Sequence, residues 1–286
     1  MLDVPLGAVD PTYRGRVAVL ATKHGKEAQI APALAPTGLL VEVTEIDTDR
    51  FGTFTGEVPR TGSPVEVAER KARAAMAATG RDAGLASEGS FGPHPGVPVL
   101  TADLEIVVLV DDLLGVVVAE QALSVDTAAT SRTGAPGEDL SELCAAVGFP
   151  DQALICRPAD GSPDGIATGL TRLPDLDRAV RDAARASADG LARVETDLRA
   201  HLCPTRRRVI AEAAERLAVR LMTRCPRCSV PGFGLTRSEQ GRPCGLCGLP
   251  TRGPVAMVTT CSRCEHRERV PVPGPADPAT WTWCNP

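Results

Sequence analysis

Six of the ten cysteines in this 286-residue chain form three Cys-x-x-Cys pairs, "CPRC" at 225–228, "CGLC" at 244–247 and "CSRC" at 261–264, and Cys284 follows them. No other feature restricts the fold as much. A pair spaced this way presents two thiolates from one tight turn, and two such turns close a tetrahedron around Zn²⁺. That reading requires a reducing compartment. Met1 onward lacks a basic segment followed by an apolar one, so no leader is expected and the chain reads as cytoplasmic. The longest apolar stretch, "LEIVVLVDDLLGVVVA", is broken by Asp111-Asp112, so no membrane span is expected. Cys144, Cys156 and Cys203 are scattered and read as small buried hydrophobes.

The spacing of "CPRC" and "CGLC" is that of a zinc ribbon, and Pro243 and Gly245 suit tight turns. A first zinc is therefore expected on Cys225, Cys228, Cys244 and Cys247. A second would draw on Cys261, Cys264 and Cys284; Trp281 stands where a symmetric fourth ligand would be, which leaves His266, close to Cys264. Interleaved pairing of the turns satisfies the same spacing. From Cys203 onward the chain has 13 Arg against six acidic residues, on a chain of net charge −5. A basic tail can meet nucleic acid or an acidic protein face through Arg206, Arg207 and Arg208, or can simply be solvated. It has two Trp and one Phe for stacking bases. Structural zinc in a segment too small to build its own core is the expected role.

Residues 1–223 read as an α/β domain and 224–286 as the zinc ribbon. Hydrophobic content of 43% supports a packed core, and 3% aromatics leave Leu, Val, Ile and Ala to fill it. "RVAVLAT" (16–22) suits a buried parallel strand, 26–38 a short helix, and 39–46 a second strand. Ser63, Pro64 and Glu66 make a capping box at the head of a helix that stops at Gly80. "AGLASEG" reads as a short strand entering the loop "SFGPHPGVP". "LEIVVLV" and "VVVAEQAL" form a hairpin through "DDLLG". Helices near 139–147, from Pro174, and at about 205–223 alternate with strands at 152–157 and in "GIATGLT". The class is a mixed-sheet α/β fold followed by a small ribbon.

The chain has 31 Lys plus Arg, of which only Lys23, Lys26 and Lys71 are lysines. Two of them lie in "TKHGKE", between the first strand and the first helix. Ligands of open α/β sheets sit beyond the carboxyl ends of the strands. Gly25 permits close backbone approach there, the helix N-terminus offers N–H donors, and compact ammonium groups add charge. Lys23, His24, Lys26, Arg60, Lys71 and His94 are the candidate phosphate or substrate ligands. Asp47, Asp49, Glu57, Glu88 and Glu105 are hard oxygen donors of the kind Mg²⁺ takes. Glu88 stands alone among glycines and prolines; Asp47 and Asp49 read equally as turn residues, and His94 as a loop hydrogen bonder. Asp197 and Arg199 either return to the site or cap and staple the last helix.

Residues 16–125 resemble the inosine/xanthosine triphosphate pyrophosphatase superfamily. Its "AT-x-N-x-x-K-x-x-E-I" is approximated from Ala21-Thr22 through Lys26 and Ile30, and "RTGSPVEVAERKA" sets Thr61, Gly62, Ala68, Lys71 and Ala72 in register with its next motif. "SEGSFG" and Pro95-Gly96 stand where that family has an acidic loop and a Pro-Gly. The departures are His24 for its Asn with one residue missing before Lys26, Glu66-Val67 for its Glu-Asn, and one acid, Glu88, for its Asp pair. The resemblance implies that Lys26 and Lys71 hold phosphates near one another, facing Glu88, which takes a metal or the attacking water. Almost the whole chain also resembles a bacterial domain-of-unknown-function family marked by "KHGKE", "DTDxFGTFTGE", "EGSFGPHP", "TDxRA…PTR" and "CPxC…PGF…PCGLCGxPT". That likeness carries no activity, and its usual ending in two cysteine pairs sets Trp281 apart. Two functions stay open. One is a Mg²⁺-dependent phosphohydrolase of a nucleotide-like phosphate, with Glu88, Lys26 and Lys71 as catalytic residues. The other is a non-enzymatic zinc-ribbon adaptor or nucleic-acid binder whose α/β body senses a ligand.

Overall fold

The computed structural model describes residues 11–23, 25–47, 51 and 61–277. The first apolar run forms β1 (Val17–Ala21), buried from its second residue on, as a parallel strand covered on both faces must be. It lies between β2 (Leu40–Thr44) and β3 (Ala83–Pro93), parallel to both. β3 continues antiparallel into β4 (Thr101–Asp111) and β5 (Val116–Ser124), so the sheet order is β2-β1-β3-β4-β5. The expected loop after "AGLASEG" is corrected here. β3 runs on to Pro93 because β4 pairs with it over its whole length, from Ala83↔Asp111 to Pro93↔Thr101. Proline is tolerated at that last position, where the ladder ends.

α1 (Glu27–Leu34) and α2 (Pro64–Thr79) follow β1 and β2. The capping box forms: Ser63 Oγ accepts from Glu66 N, Glu66 Oε2 accepts from Ser63 N, and Gly80 ends α2 at φ 70°. A second sheet contains β6 (Ser131–Gly134), β7 (Leu154–Pro158), β8 (Ala167–Leu170) and β9 (Ala192–Thr196), in order β6-β9-β7-β8 and all antiparallel. It carries α3 (Ser141–Val147) and α4 (Leu173–Ala186), and its core of Leu154, Cys156, Leu176, Ala183 and Val194 is separate from that of the first sheet. Strands of four and five residues leave little periodicity to read, so this separate layer is not apparent in the sequence. α5 (Pro204–Met222) returns to the first sheet, and β10 (Gly234–Gln240), β11 (Pro254–Thr260) and β12 (Arg267–Pro271) form a third, antiparallel one.

Side chains alternate across the first sheet. Leu20, Leu85 and Leu109 face α1 and α5, against Ile30, Leu34, Ile210 and Leu217. Val19, Ala86 and Val108 face α2, against Ala68, Ala72 and Met76. Asp197 and Arg199 tie the segment that follows β9 to the second sheet. The buried Asp197 carboxylate accepts from Gly169 N and from Arg199, while Gln152 Nε2 donates to its carbonyl. Arg220 ties the third sheet to the first: Nε donates to Gly232 O, and Nη1 to Ala119 O and to Glu120. Among the described residues no helix is long and apolar enough to cross a membrane.

Candidate functional site

The pairing of β1 with β3 ends at Ala21↔Ala86, so Ser87, Glu88 and Gly89 run on past the end of β1. α1 and α2 lie on opposite faces of the sheet. The carboxyl ends of β1 and β3 therefore form a topological switch point, the usual place for a ligand crevice. Lys26, at the head of α1, donates from Nζ to Ser87 Oγ at 2.9 Å. Lys71 of α2 ion-pairs with Glu88. Neighbouring residues of a strand point to opposite faces. Lys71 thus holds Glu88 on the α2 face and Lys26 holds Ser87 on the α1 face, so the two lysines bracket one stretch of β3 instead of sharing one pocket wall. Their charges still act on each other. Burial draws the Lys26 ammonium down to about 8; Glu105 and Glu88 oppose that shift, while Arg206 and Lys71 reinforce it.

Asp103 and Glu105 of β4 stand two residues apart on the α5 side, opposite Phe91 and Gly89. Arg206, in the first turn of α5, donates from Nε to Glu105 Oε1 at 2.5 Å and from Nη1 to Leu198 O at 2.5 Å, and its guanidinium lies 5.9 Å from the Phe91 ring centre. Gly89 makes room for this pair: a Cβ there would stand 2.0 Å from Glu105 Oε1 and 2.6 Å from Arg206 Nη2. Three buried carboxylate oxygens, Glu105 Oε2 and both of Asp103, accept from no N–H group or hydroxyl among the described residues, and the two carboxyls are close enough to share a proton. Burial first, and then the Glu105 charge, push the Asp103 carboxyl up to about 7, against the pull of Arg206 and Lys26. Such a pair of carboxyls suits a shared proton or a hard divalent cation.

Glu105 is among the hard donors that the sequence offers; Asp103 and Ser87 are not, and Arg206 is offered only as part of a basic tail. The available signal was two acids at i and i+2 inside an apolar strand, which must share a face. Arg206 is corrected outright. Read as one of three surface arginines, it is 5% exposed and committed to Glu105, so Arg206, Arg207 and Arg208 are not one basic surface. Arg208 pairs with Asp126.

Lys23 and Asp47 border a cavity of about 390 Å³ at the carboxyl ends of β1 and β2, with Thr22, Glu45 and Ile46. That is the β2 side of β1, whereas Glu88 belongs to β3, on its other side. Thr22 joins the two regions by accepting from Lys26 N. His94 organises the turn between β3 and β4: its Nδ1 accepts from Gly96 N and Val97 N. It stands six residues along β3 from Glu88, about 20 Å at strand rise. His24, Asp49, Glu57, Arg60 and Cys284 lie outside the described residues.

The cysteines pair differently from the expected ribbon. Cys225, Cys228, Cys261 and Cys264 have their Sγ atoms within 4.8 Å of one another. Cys225 lies 3.7 Å from Cys264 and Cys228 3.6 Å from Cys261. A tetrahedral zinc with bonds of about 2.3 Å separates its sulfurs by about 3.8 Å, so the set fits such a metal. The hairpin decides the pairing. β10 and β11 align Gly234 with Thr260, which brings the first and third turns together, and Gln240 with Pro254, which carries Cys244 and Cys247 to the far end, about 20 Å away. His266 is not in the set; its ring stacks on Phe233 and its Nε2 lies 3.3 Å from Glu268. Cys144, Cys156 and Cys203 are buried, and burial pushes the Cys156 thiol up to about 11, as inert packing residues require.

The protein is thus a mixed-sheet α/β molecule with a C-terminal four-cysteine cluster able to hold a metal such as zinc. Over residues 71–286 it matches the family described as a domain of unknown function, DUF6671, and belongs to that family. No curated protein matches the chain.

Proposed function

We propose that the protein binds a nucleotide-like phosphate at the carboxyl ends of β1 and β3 and hydrolyses it with the help of Mg²⁺, while zinc on Cys225, Cys228, Cys261 and Cys264 holds the C-terminal sheet together. The observation that carries this reading is the set of three buried carboxylate oxygens on Asp103 and Glu105 that accept from no described N–H group or hydroxyl, beside the Lys26 ammonium at a switch-point crevice. Two buried carboxylates side by side are expensive with one arginine between them, and a hard cation satisfies the three remaining oxygens at once. When bound, Mg²⁺ would polarise a phosphoryl oxygen and offset charge gathering on it.

The chain's own residues supply the rest. Arg206 fixes the Glu105 carboxylate through Oε1 and leaves Oε2 open. Lys26, with its ammonium near 8, is mostly charged at neutral pH and, as a compact donor, exchanges Ser87 for a phosphate oxygen at little cost. Lys71 fixes Glu88 on the opposite face of β3. Preorganised charges of this kind supply much of the acceleration in phosphoryl transfer.

The test is turnover of a panel of nucleoside triphosphates by the full chain, with and without Mg²⁺. Mg²⁺-dependent release of phosphate or pyrophosphate from at least one of them is expected, reduced about 100-fold or more in Asp103→Asn and in Lys26→Met. If no member of the panel is turned over faster by the wild type than by Asp103→Asn, the hydrolase reading is wrong.

A further inference from the structure

A cavity of about 700 Å³ lies where the third sheet meets the first. Ile106 and Val117, on the α2 face of the first sheet, form one wall, and Leu235 and Met257 of the β10–β11 hairpin form the other. Ile106 follows Glu105 in β4 and so points to the opposite face, which keeps this cavity apart from the Asp103–Glu105 pair. Four consecutive residues, 235–238, line it, where a regular strand would offer alternate ones. The β10–β11 register slips between Leu235 and Arg237, and a bulge of this kind re-aims side chains. Leu235 is left 47% exposed.

The charged lining is mostly cationic: Arg216, Arg220 and Arg237, with Glu120 as the acid among the described lining residues. Arg216 is paired with Glu212. Arg220, whose side chain is 10% exposed, uses Nε for Gly232 O and Nη1 for Ala119 O and Glu120, and its Nη2 donates to nothing among the described residues. A buried guanidinium group with an open nitrogen calls for an acceptor. Arg237 lies 3.6 Å from Glu239, beyond a hydrogen bond, and Glu239 is itself held by Arg269 at 2.7 Å. The occupant is not a further strand. The outer edge of β5 is closed to one, because Ala119 O and Gln121 O already accept from Arg220 and Arg216.

We infer that this cavity binds a small organic carboxylate with an apolar body, its charged end held by Arg220 and Arg237 and its apolar part laid against Ile106, Val117, Leu235 and Met257. Apolar walls with a few convergent polar groups, in a volume of this size, are the usual make-up of a small-molecule site. A carboxylate brings one acceptor oxygen for each of the two guanidinium groups, and such charge-assisted bonds are the strong ones.

Met257 provides a local readout, since the chain has four methionines and Met257 lines the cavity. The full-length protein, carrying ¹³C-methyl methionine, is titrated with octanoate and followed by NMR. The Met257 methyl resonance, assigned with Met257→Leu, should shift saturably while those of Met76 and Met222 stay in place. Uncharged 1-octanol should bind about 10-fold more weakly or worse, as the loss of a charge-assisted contact implies. Arg237 is 60% exposed, so Arg237→Glu leaves the fold intact, and it should weaken octanoate binding about 10-fold or more. Arg267→Glu makes the same charge change at an exposed arginine of β12 outside the cavity lining and should stay within about twofold of the wild type. A Met257 methyl that does not move, octanol binding as tightly as octanoate, or equal affinities in Arg237→Glu and Arg267→Glu would each overturn the inference.

Discussion

Arg206 Nε donates to Glu105 Oε1 at 2.5 Å, joining residues 101 positions apart at a depth where the two side chains are 6% and 0% exposed. This contact seats the head of α5 on β4 and fixes one side of the candidate site. Removing one partner of a buried pair strands the other charge. Arg206→Met should therefore destabilise the fold by about 3–5 kcal/mol. The double variant Arg206→Met/Glu105→Leu should recover much of that loss. Urea denaturation of the three proteins checks it, and a loss in the single variant no larger than in the double one would refute the assignment.

Gly89 is a position on β3 that cannot accept a side chain. Gly89→Ala should push Glu105 and Arg206 apart and destabilise the protein by about 1–3 kcal/mol, the usual range for overpacking. A methyl group at Gly92, three residues along the same strand, would meet no described atom within 4 Å, and the backbone there has no positive φ. Gly92→Ala should therefore change stability by less than about 0.5 kcal/mol. Thermal melts of the pair separate a steric effect at the site from a general dislike of alanine in the strand.

Asp103 gives the fold a pH signature. Its folded pKa, about 7, lies above the ordinary 3.8, so the folded state holds more protons than the unfolded one between those values. The stability it contributes is fully present below about pH 4 and is lost as pH rises towards 7. Asp103→Asn should flatten the wild type's decline over that window. Saturating Mg²⁺ should also flatten it, because the cation binds the deprotonated carboxyls of the folded state and so stabilises the wild type most at the high-pH end. Chemical denaturation at half-unit pH steps, with and without Mg²⁺, measures both, and identical profiles for wild type and variant would contradict the assignment.

The four-cysteine cluster predicts a local dependence on metal. A chelator strong enough to strip zinc should open the 224–277 segment to protease while the first sheet, with its own core, stays protected. Peptide mapping after limited proteolysis shows whether cleavage is confined to that segment. Equal cleavage before and after chelation would argue against a structural metal.

What the sequence disclosed depended on how local each signal was. The Ser63–Glu66 capping box, the end of α2 at Gly80 and the β4–β5 hairpin are set by residues within a few positions of one another. The cysteine turns are equally local, but their partnership is not: three equivalent pairs can be matched in several ways, and only the register Gly234↔Thr260 chooses. Lys26 and Glu88 are recognisable as polar residues at strand ends, and Lys71 of α2 by its place in the resemblance, yet the face that each takes follows from the alternation of β3. Arg206 hid among three consecutive arginines because nothing in "TRRR" says which of them points inward. Asp103 hid because an acid near the start of an apolar strand looks like its solvated end. Only the pairing with Phe91 and the approach of α5 bury it.

The central claim is that Asp103 and Glu105 hold a divalent cation next to a phosphate on Lys26. Crystals of the full chain grown with Mn²⁺ and a non-hydrolysable nucleoside triphosphate address it most directly, through the anomalous signal of the metal. The account predicts a peak within about 2.2 Å of a carboxylate oxygen from each of Asp103 and Glu105, with a phosphate oxygen in the same shell and another on Lys26. A nucleotide and metal bound elsewhere, or a carboxyl pair bridged by nothing but a proton in their presence, would contradict it.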